Sequence, residues 1–216
     1  ELIRQGLLTE NEVKNTDFFT FENKVDYGKL FSNRIPLLKK AFSRFDKKNG
    51  TFLSFVKEGK YNDFAFFMTM KSLHNFMAWY DWNEEDRNYT PALEEKIKKD
   101  NEDLYLFYQW TQFEFLHEYE ALKKYANDSG ISLLGDMPLY LAYDSVEVYK
   151  YPSLFLLDEK HNPTVVAGVP PDYFSADGQL WGNPIYNWED MKKDNYSWFN
   201  RRIQINLELF DILRID

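Results

Sequence analysis

Ile131-Ser-Leu-Leu-Gly-Asp-Met-Pro138 is the stretch on which the reading of the fold turns. Its apolar run, 131–135, has the length of a strand rather than a helix. It delivers Asp136 at its C-terminal end, with Pro138 close behind. Asn127-Asp-Ser-Gly130, just before it, is turn chemistry. Further upstream, Leu104, Tyr108, Phe115, Tyr119, Leu122 and Ala126 recur at three-to-four-residue steps, which predicts an amphipathic helix with one buried face. The plan then repeats. Phe199, Ile203, Leu207 and Phe210 carry a second helix face, and Phe210-Asp-Ile-Leu-Arg-Ile-Asp216 reads as a buried strand closing on a carboxylate. Helix, turn, apolar strand, carboxylate, twice over, is the pattern of an α/β protein with parallel strands. Functional groups in such folds gather at the C-terminal ends of the strands, where Asp136 and Asp216 both fall.

Side chains alternate along a strand, so Phe210, Ile212, Arg214 and Asp216 share one face. Arg214 and Asp216 are then roughly 7 Å apart along the chain. Such a cation favours the ionised carboxylate and lowers its pKa, as an attacking carboxylate requires. These residues alone allow two readings, a structural ion pair at a strand end or a nucleophile.

Between the two units lies Thr164-Val-Val-Ala-Gly-Val-Pro-Pro-Asp-Tyr-Phe-Ser-Ala-Asp-Gly-Gln-Leu-Trp-Gly-Asn-Pro-Ile-Tyr186, read as an irregular loop. Pro170-Pro171 stiffens the approach to Asp172, Tyr173 and Phe174, and Gly182-Asn-Pro184 stiffens the exit after Trp181. Its rings either wall a site for a sugar chain or pack the loop onto the protein. Asp144-Ser-Val-Glu147 reads as a helix N-cap with glutamate at the third helical position.

Composition narrows the field. The chain has 216 residues, a formal net charge of −9, no cysteine, and 19 Phe, 15 Tyr and 6 Trp. The acidic balance argues against nucleic acid, whose recognition rests on basic contacts to phosphate. Without cysteine there is no thiolate nucleophile, disulfide or Cys-ligated zinc. No apolar run approaches the length of a membrane span, so a soluble, cytoplasmic protein is expected. Residues 1–103 read as a mainly helical subdomain, with helices near 28–45, 60–80 and 91–99 and with Asn49-Gly50 and Gly59 as punctuation. Residues 104–216 read as the α/β segment. The acidic run 81–86 lacks the turn glycine and closing glutamate of a calcium loop, and three scattered histidines form no ligand pair. No metal or cofactor is expected. No phosphate-binding glycine loop, dinucleotide fingerprint or serine-nucleophile elbow occurs.

Three segments carry a resemblance to a known family. They are Gly135-Asp-Met-Pro-Leu-Tyr140 with Ala142-Tyr-Asp-Ser145, Val165-Val-Ala-Gly-Val-Pro-Pro-Asp-Tyr-Phe-Ser175 with Gln179-Leu-Trp-Gly-Asn-Pro184, and Arg214-Ile-Asp216. Together they closely resemble the 4-alpha-glucanotransferases called amylomaltases or disproportionating enzymes (glycoside hydrolase family 77). Residues 104–216 carry the strong part, and Lys123-Lys-Tyr-Ala126 and Trp79-x-x-Trp82 fit more loosely. Two departures stand out. The family usually has Asp-Ser-Ala-Asp-Val-Trp where this chain has Asp144-Ser-Val-Glu-Val-Tyr149, and Asn83 stands where a proline is usual.

The resemblance implies a (β/α)8 barrel of the alpha-amylase-like type with helical insertions, incomplete in this chain. It makes Asp216 the catalytic nucleophile and Arg214 its charged neighbour. Asp136 becomes the aspartate at the end of the third barrel strand, and Asp172, Tyr173, Phe174 and Trp181 belong to a loop arching over a glucan groove. The implied activity is retaining transfer of alpha-1,4-glucan segments (maltodextrins) to a glucan or glucose, in starch and glycogen metabolism. Read without the family, Asp136 is the candidate acid. The family instead takes its acid/base glutamate and a third aspartate from strands beyond residue 216, so residues 1–216 alone are expected to be inactive. An alpha-amylase-type hydrolase and a non-catalytic glucan-binding module are the competing classes.

Overall fold

The structure, a computed structural model, describes residues 1–18 and 24–215. In chain order it contains α1 (Glu10–Lys14), α2 (Tyr27–Arg44), α3 (Gly50–Glu58), α4 (Asn62–Leu73), α5 (Glu84–Arg87), α6 (Pro91–Asp100) and α7 (Glu102–Asp128). Then follow β1 (Leu134–Met137), α8 (Val146–Lys150), β2 (Val166–Val169), β3 (Gln179–Pro184), α9 (Trp188–Lys192), α10 (Ser197–Leu209) and β4 (Ile212–Ile215). The chain divides into two compact units, one of residues 1–69 and 98–119, the other of 70–97 and 120–216.

The first unit is helical and its centre is aromatic. Phe42, Phe52, Phe66, Phe107 and Trp110 are buried. Phe45 meets Phe52 edge-on at 5.3 Å and Phe113 meets Phe52 at 5.5 Å, the offset geometries that ring quadrupoles favour. Glu114, also buried, accepts from Trp110 Nε1 at 3.0 Å and Gln5 Nε2 at 2.9 Å, which satisfies a carboxylate removed from water. Asn49-Gly50 proves to be a helix start rather than a break. Asn49 Oδ1 accepts the amides of Thr51 and Phe52 and caps α3.

The helix expected over 60–80 stops at Leu73. Asn75 and Phe76 take left-handed backbone angles, and a short 3-10 turn, Trp79–Asp81, follows. That turn belongs to the second unit. Its core holds Trp79, Trp82, Met137, Val148, Tyr149 and Tyr186. Near it, Glu94 accepts from Lys150 Nζ and Tyr89 Oη, both at 2.7 Å.

Two sheets of two strands each lie in the second unit. β1 and β4 run parallel, with Leu134 beside Ile212, Gly135 beside Leu213, Asp136 beside Arg214 and Met137 beside Ile215. Asp211 fixes this register from one end. Its carboxylate accepts Leu133 N at 2.7 Å and Asn127 Nδ2 at 2.8 Å, while its own amide donates to Leu133 O at 2.9 Å. Those bonds, the backbone bond first, hold the Asp211 carboxyl below its ordinary pKa. Gly135 is required where it stands, because a Cβ there would lie 2.1 Å from the Phe210 ring.

The strands and helix faces differ from the sequence pattern in four ways. β1 starts at Leu134, not Ile131, and runs one residue past Asp136 to Met137; residues 131–133 are spent leaving α7 through Gly130, whose φ is +77°. β4 is not buried, since Ile212 and Ile215 are exposed and only Leu213 is half-covered. A two-stranded sheet shields few of its own side chains. The expected helix faces are only partly covered: Leu122 and Phe115 on α7 and Leu207 on α10 lie exposed, α10 buries no residue, and Phe210 caps that helix instead of belonging to it. Finally, 164–186 is no irregular loop. β2 and β3 pair antiparallel, with an irregularity between Val166 and Gly168, and form a hairpin. The alternation that marks a strand was hidden by the prolines and glycines around the turn.

Candidate active site

Asp136 and Arg214 face each other across the β1–β4 pair. The guanidinium donates from Nε to Asp136 Oδ1 at 2.8 Å and from Nη2 to Oδ2, a two-pronged contact. The Arg214 hydrogen bonds hold the Asp136 carboxyl below its ordinary pKa. Both side chains are about half exposed to solvent. Sequence alternation had placed Arg214 with Asp216. Among the described residues its guanidinium pairs with Asp136, and Asp216 itself lies outside the described residues.

The segment after β1 carries the chain away from Asp136, and its carbonyls are tied down in turn. Pro138 O accepts from Arg202 Nη2, and Leu139 O accepts from Arg202 Nη1 at 2.9 Å and Tyr186 Oη at 2.6 Å. Leu141 O accepts from Asn183 Nδ2 at 2.8 Å, and Tyr143 O accepts from Trp79 Nε1 at 2.8 Å. Tyr143 stacks on Tyr80 at 4.6 Å and donates from its hydroxyl to His161 O at 2.7 Å. Burial raises the Tyr143 hydroxyl to about 12 and the Tyr186 hydroxyl to about 12, so both stay protonated donors at neutral pH.

Asp144 is not the cap that the sequence indicated. Ser145 caps α8, its Oγ accepting Val148 N at 3.4 Å. Asp144 instead accepts Lys71 Nζ at 2.6 Å and Trp79 N at 3.2 Å. Lys71 is a buried cation, and a buried ammonium needs a partner, so it outcompetes the helix end for the carboxylate.

The hairpin supplies the remaining predicted residues. At its tip Asp172 Oδ1 accepts the amides of Phe174 at 2.9 Å and Ser175 at 2.8 Å, folding the turn on itself. Tyr173 and Phe174 stand 98% and 89% exposed, so these rings do not pack the hairpin down. Trp181, on β3, is half exposed and donates from Nε1 to Gln179 Oε1 at 3.1 Å. Gly178 closes the turn with φ of +72°, and a Cβ there would lie 2.5 Å from Val169 O. The structure thus brings Asp136 to Arg214, and Asp172 to Tyr173 and Phe174. Sequence reasoning missed Lys71 and Arg202, whose local pattern is that of ordinary helix residues, and it gave Asn183 only a place in the stiff exit of the loop, not its bond to Leu141 O. No cluster of three or more His, Asp or Glu side chains able to hold a metal occurs among the described residues. Nor, among them, is any helix long and apolar enough to cross a membrane.

The family model described as 4-alpha-glucanotransferase (glycoside hydrolase family 77) matches residues 1–216. The chain belongs to the 4-alpha-glucanotransferase family. It is 36% identical over 219 residues to the 4-alpha-glucanotransferase of Clostridium butyricum, covering 100% of this chain and 45% of that protein. It is 39% identical over 221 residues to the enzyme of Streptococcus pneumoniae TIGR4, covering 100% and 44%. Among solved structures, amylomaltase from Streptococcus agalactiae in complex with acarbose superposes with a TM-score of 0.92 at 37% identity, over 100% of this chain and 44% of that one. Amylomaltase from Corynebacterium glutamicum, at 18% identity, shares the fold with a TM-score of 0.66 over 89% of this chain and 25% of that one. The chain spans less than half the length of the curated relatives it matches.

Proposed function

We propose that residues 1–216 form the nucleophile-bearing part of an enzyme that transfers alpha-1,4-glucan segments to another glucan or to glucose. One observation carries the reading: the family match runs the whole length of the chain and includes the segments that hold Asp136, the hairpin and Arg214-Ile-Asp216. In this reading β1 and β4 are neighbouring strands of a (β/α)8 barrel of the alpha-amylase-like type. Residues 1–103 are its helical insertion and 104–216 the barrel segment. The parallel pairing of β1 and β4 and their exposed apolar side chains, Leu134, Ile212 and Ile215, support that reading, since such a barrel has eight strands covering one another.

Chemistry follows from the roles assigned. An Asp216 carboxylate oxygen attacks the anomeric carbon of the donor glucan as the glycosidic bond to O4 breaks. A second carboxyl group protonates the departing oxygen. The glucosyl ester on Asp216 is then opened by the 4-hydroxyl of an acceptor, whose proton returns to that second group, and the configuration is retained. The family resemblance takes the acid/base from strands after residue 216, so residues 1–216 alone have no activity in this account. Asp136, held ionised by Arg214, meets hydroxyls of the reacting glucose. Tyr173, Phe174 and Trp181 offer flat apolar faces to sugar rings while excluding water from the ester, which favours transfer over hydrolysis. No metal or cofactor takes part, and the same reading places the enzyme in the cytoplasm with soluble maltodextrins as substrates.

Maltotriose tests the proposal. A full-length transferase converts it to glucose and a ladder of longer maltodextrins. Shorter products alone identify a hydrolase, and binding without turnover identifies a non-catalytic module.

A further inference from the structure

Arg202 lies in the middle of α10, the helix that leads directly into β4, yet its side chain reaches away from its own helix. Its guanidinium donates to three oxygens: Pro138 O, Leu139 O at 2.9 Å and Tyr186 Oη at 2.8 Å. Tyr186, at the exit of the hairpin and 1% exposed, passes its own hydroxyl hydrogen to Leu139 O at 2.6 Å. Its ring is held among Trp188, Trp198 and Phe199 at 5.2–6.0 Å. One planar cation therefore joins three parts of the chain: the turn after Asp136, the base of the aromatic hairpin and the helix that precedes Arg214 and Asp216.

We infer that Arg202 is a positioning residue, fixing the turn after Asp136 to the base of the hairpin so that groups on both meet the glucan in one arrangement. The observation behind this is geometric. Backbone carbonyls at Pro138 and Leu139 point to a donor with several hydrogens in a fixed fork, which guanidinium provides and ammonium does not. Asn183 Nδ2 on Leu141 O, at 2.8 Å, continues the same seam from the end of β3. Arg202 touches no substrate in this account and acts through the residues it holds. The consequence for catalysis rests on the glucan-transfer reading above, whereas the tie itself does not.

The test uses the full-length protein with Arg202→Met and Arg202→Lys. Hydrogen–deuterium exchange follows peptides spanning 139–145 and 183–187, and maltotriose products are resolved into transfer and hydrolysis. For Arg202→Met, exchange in both peptides rises at least tenfold. Transfer kcat falls about 10- to 100-fold, the scale of loss when positioned groups shift by about 1 Å, and the share of hydrolysis rises. Arg202→Lys restores part of the protection and part of the partition. Unchanged exchange in both peptides overturns the inference whatever the activity does. Raised exchange with an unchanged ratio of transfer to hydrolysis also overturns it, because Arg202 is then a stabilising contact only. If the wild-type enzyme yields no maltodextrin ladder, the functional reading fails, and the exchange result still decides whether Arg202 ties the turn to the hairpin.

Discussion

Replacing Gly135 with alanine probes the junction on which the site is built. An added Cβ would meet Phe210 Cδ2 at 2.1 Å, Cγ at 2.3 Å and Cε2 at 2.7 Å, where ordinary contact begins at 3.4 Å. The ring must retreat by roughly 1.3 Å or more along that line, and overpacking of this kind costs about 1–3 kcal/mol. Phe210 has little room to retreat in place. It is the cap of α10, with its amide bonded to Asn206 O, and Asp211 next to it is bonded to Leu133. Thermal unfolding of Gly135→Ala should show a Tm lower by about 2–12 °C, taking about 2–4 °C per kcal/mol for a folding unit of about 150–250 residues. The assay is a double-mutant cycle with Phe210→Ala. Removing the ring leaves the new methyl space, so the double variant should be less destabilised than the sum of the singles, by about 1–2 kcal/mol. Additive losses, or a Gly135→Ala protein indistinguishable from wild type, would refute the reasoning.

Other expectations follow from single contacts. Lys150→Met leaves Glu94 with one charged partner removed in a site where both side chains are about 90% covered, and should destabilise by about 3 kcal/mol in urea unfolding; a loss under 1 kcal/mol would contradict it. Arg214→Gln should raise the pH at which the Asp136 carboxyl carbon titrates by NMR, because the group that depresses it is gone. With a depressed native pKa, the pair's contribution is present above the ordinary carboxylate range and is lost as pH falls through the native value. Wild type should therefore lose more stability on acidification than Arg214→Gln, and parallel acid profiles would exclude the link. Gly178→Ala, forced into left-handed backbone and against Val169 O, should weaken glucan binding several-fold by displacing Tyr173 and Phe174; unchanged affinity on a maltodextrin column would remove the hairpin from the binding surface.

Much of this was legible in the chain. The helix 102–128, the two helix–strand units and the placing of Asp136 beside a strand end all follow from periodicity and turn residues, which are local signals. Burial was not legible in the same way. The apolar pattern of β4 marks what the strand is built to contact, while Ile212 and Ile215 are exposed among the residues present. Pairing was legible only in part. The fork of Arg214 meets Asp136 across the sheet, a contact set by register and invisible to alternation along one strand, while Asp216, which alternation places on the same face as Arg214, lies outside the described residues. Asp144 misled for a related reason. Sequence offers it a helix end to cap, and a buried lysine 73 residues upstream takes it instead. Arg202 gave no signal at all, because a helix-interior arginine looks solvated until the carbonyls it reaches have been folded into place.

The central claim is that Asp216 is the attacking carboxylate of a glucan-transferring enzyme. Asp216→Asn in the full-length protein tests it most directly, with maltotriose turnover and maltodextrin affinity measured on the same preparation. An amide cannot form the glucosyl ester, so the account predicts transfer reduced by at least about 10⁴-fold, the scale of losing a covalent nucleophile, with affinity within a few-fold of wild type. Transfer surviving at a tenth of the wild-type rate or better would contradict it.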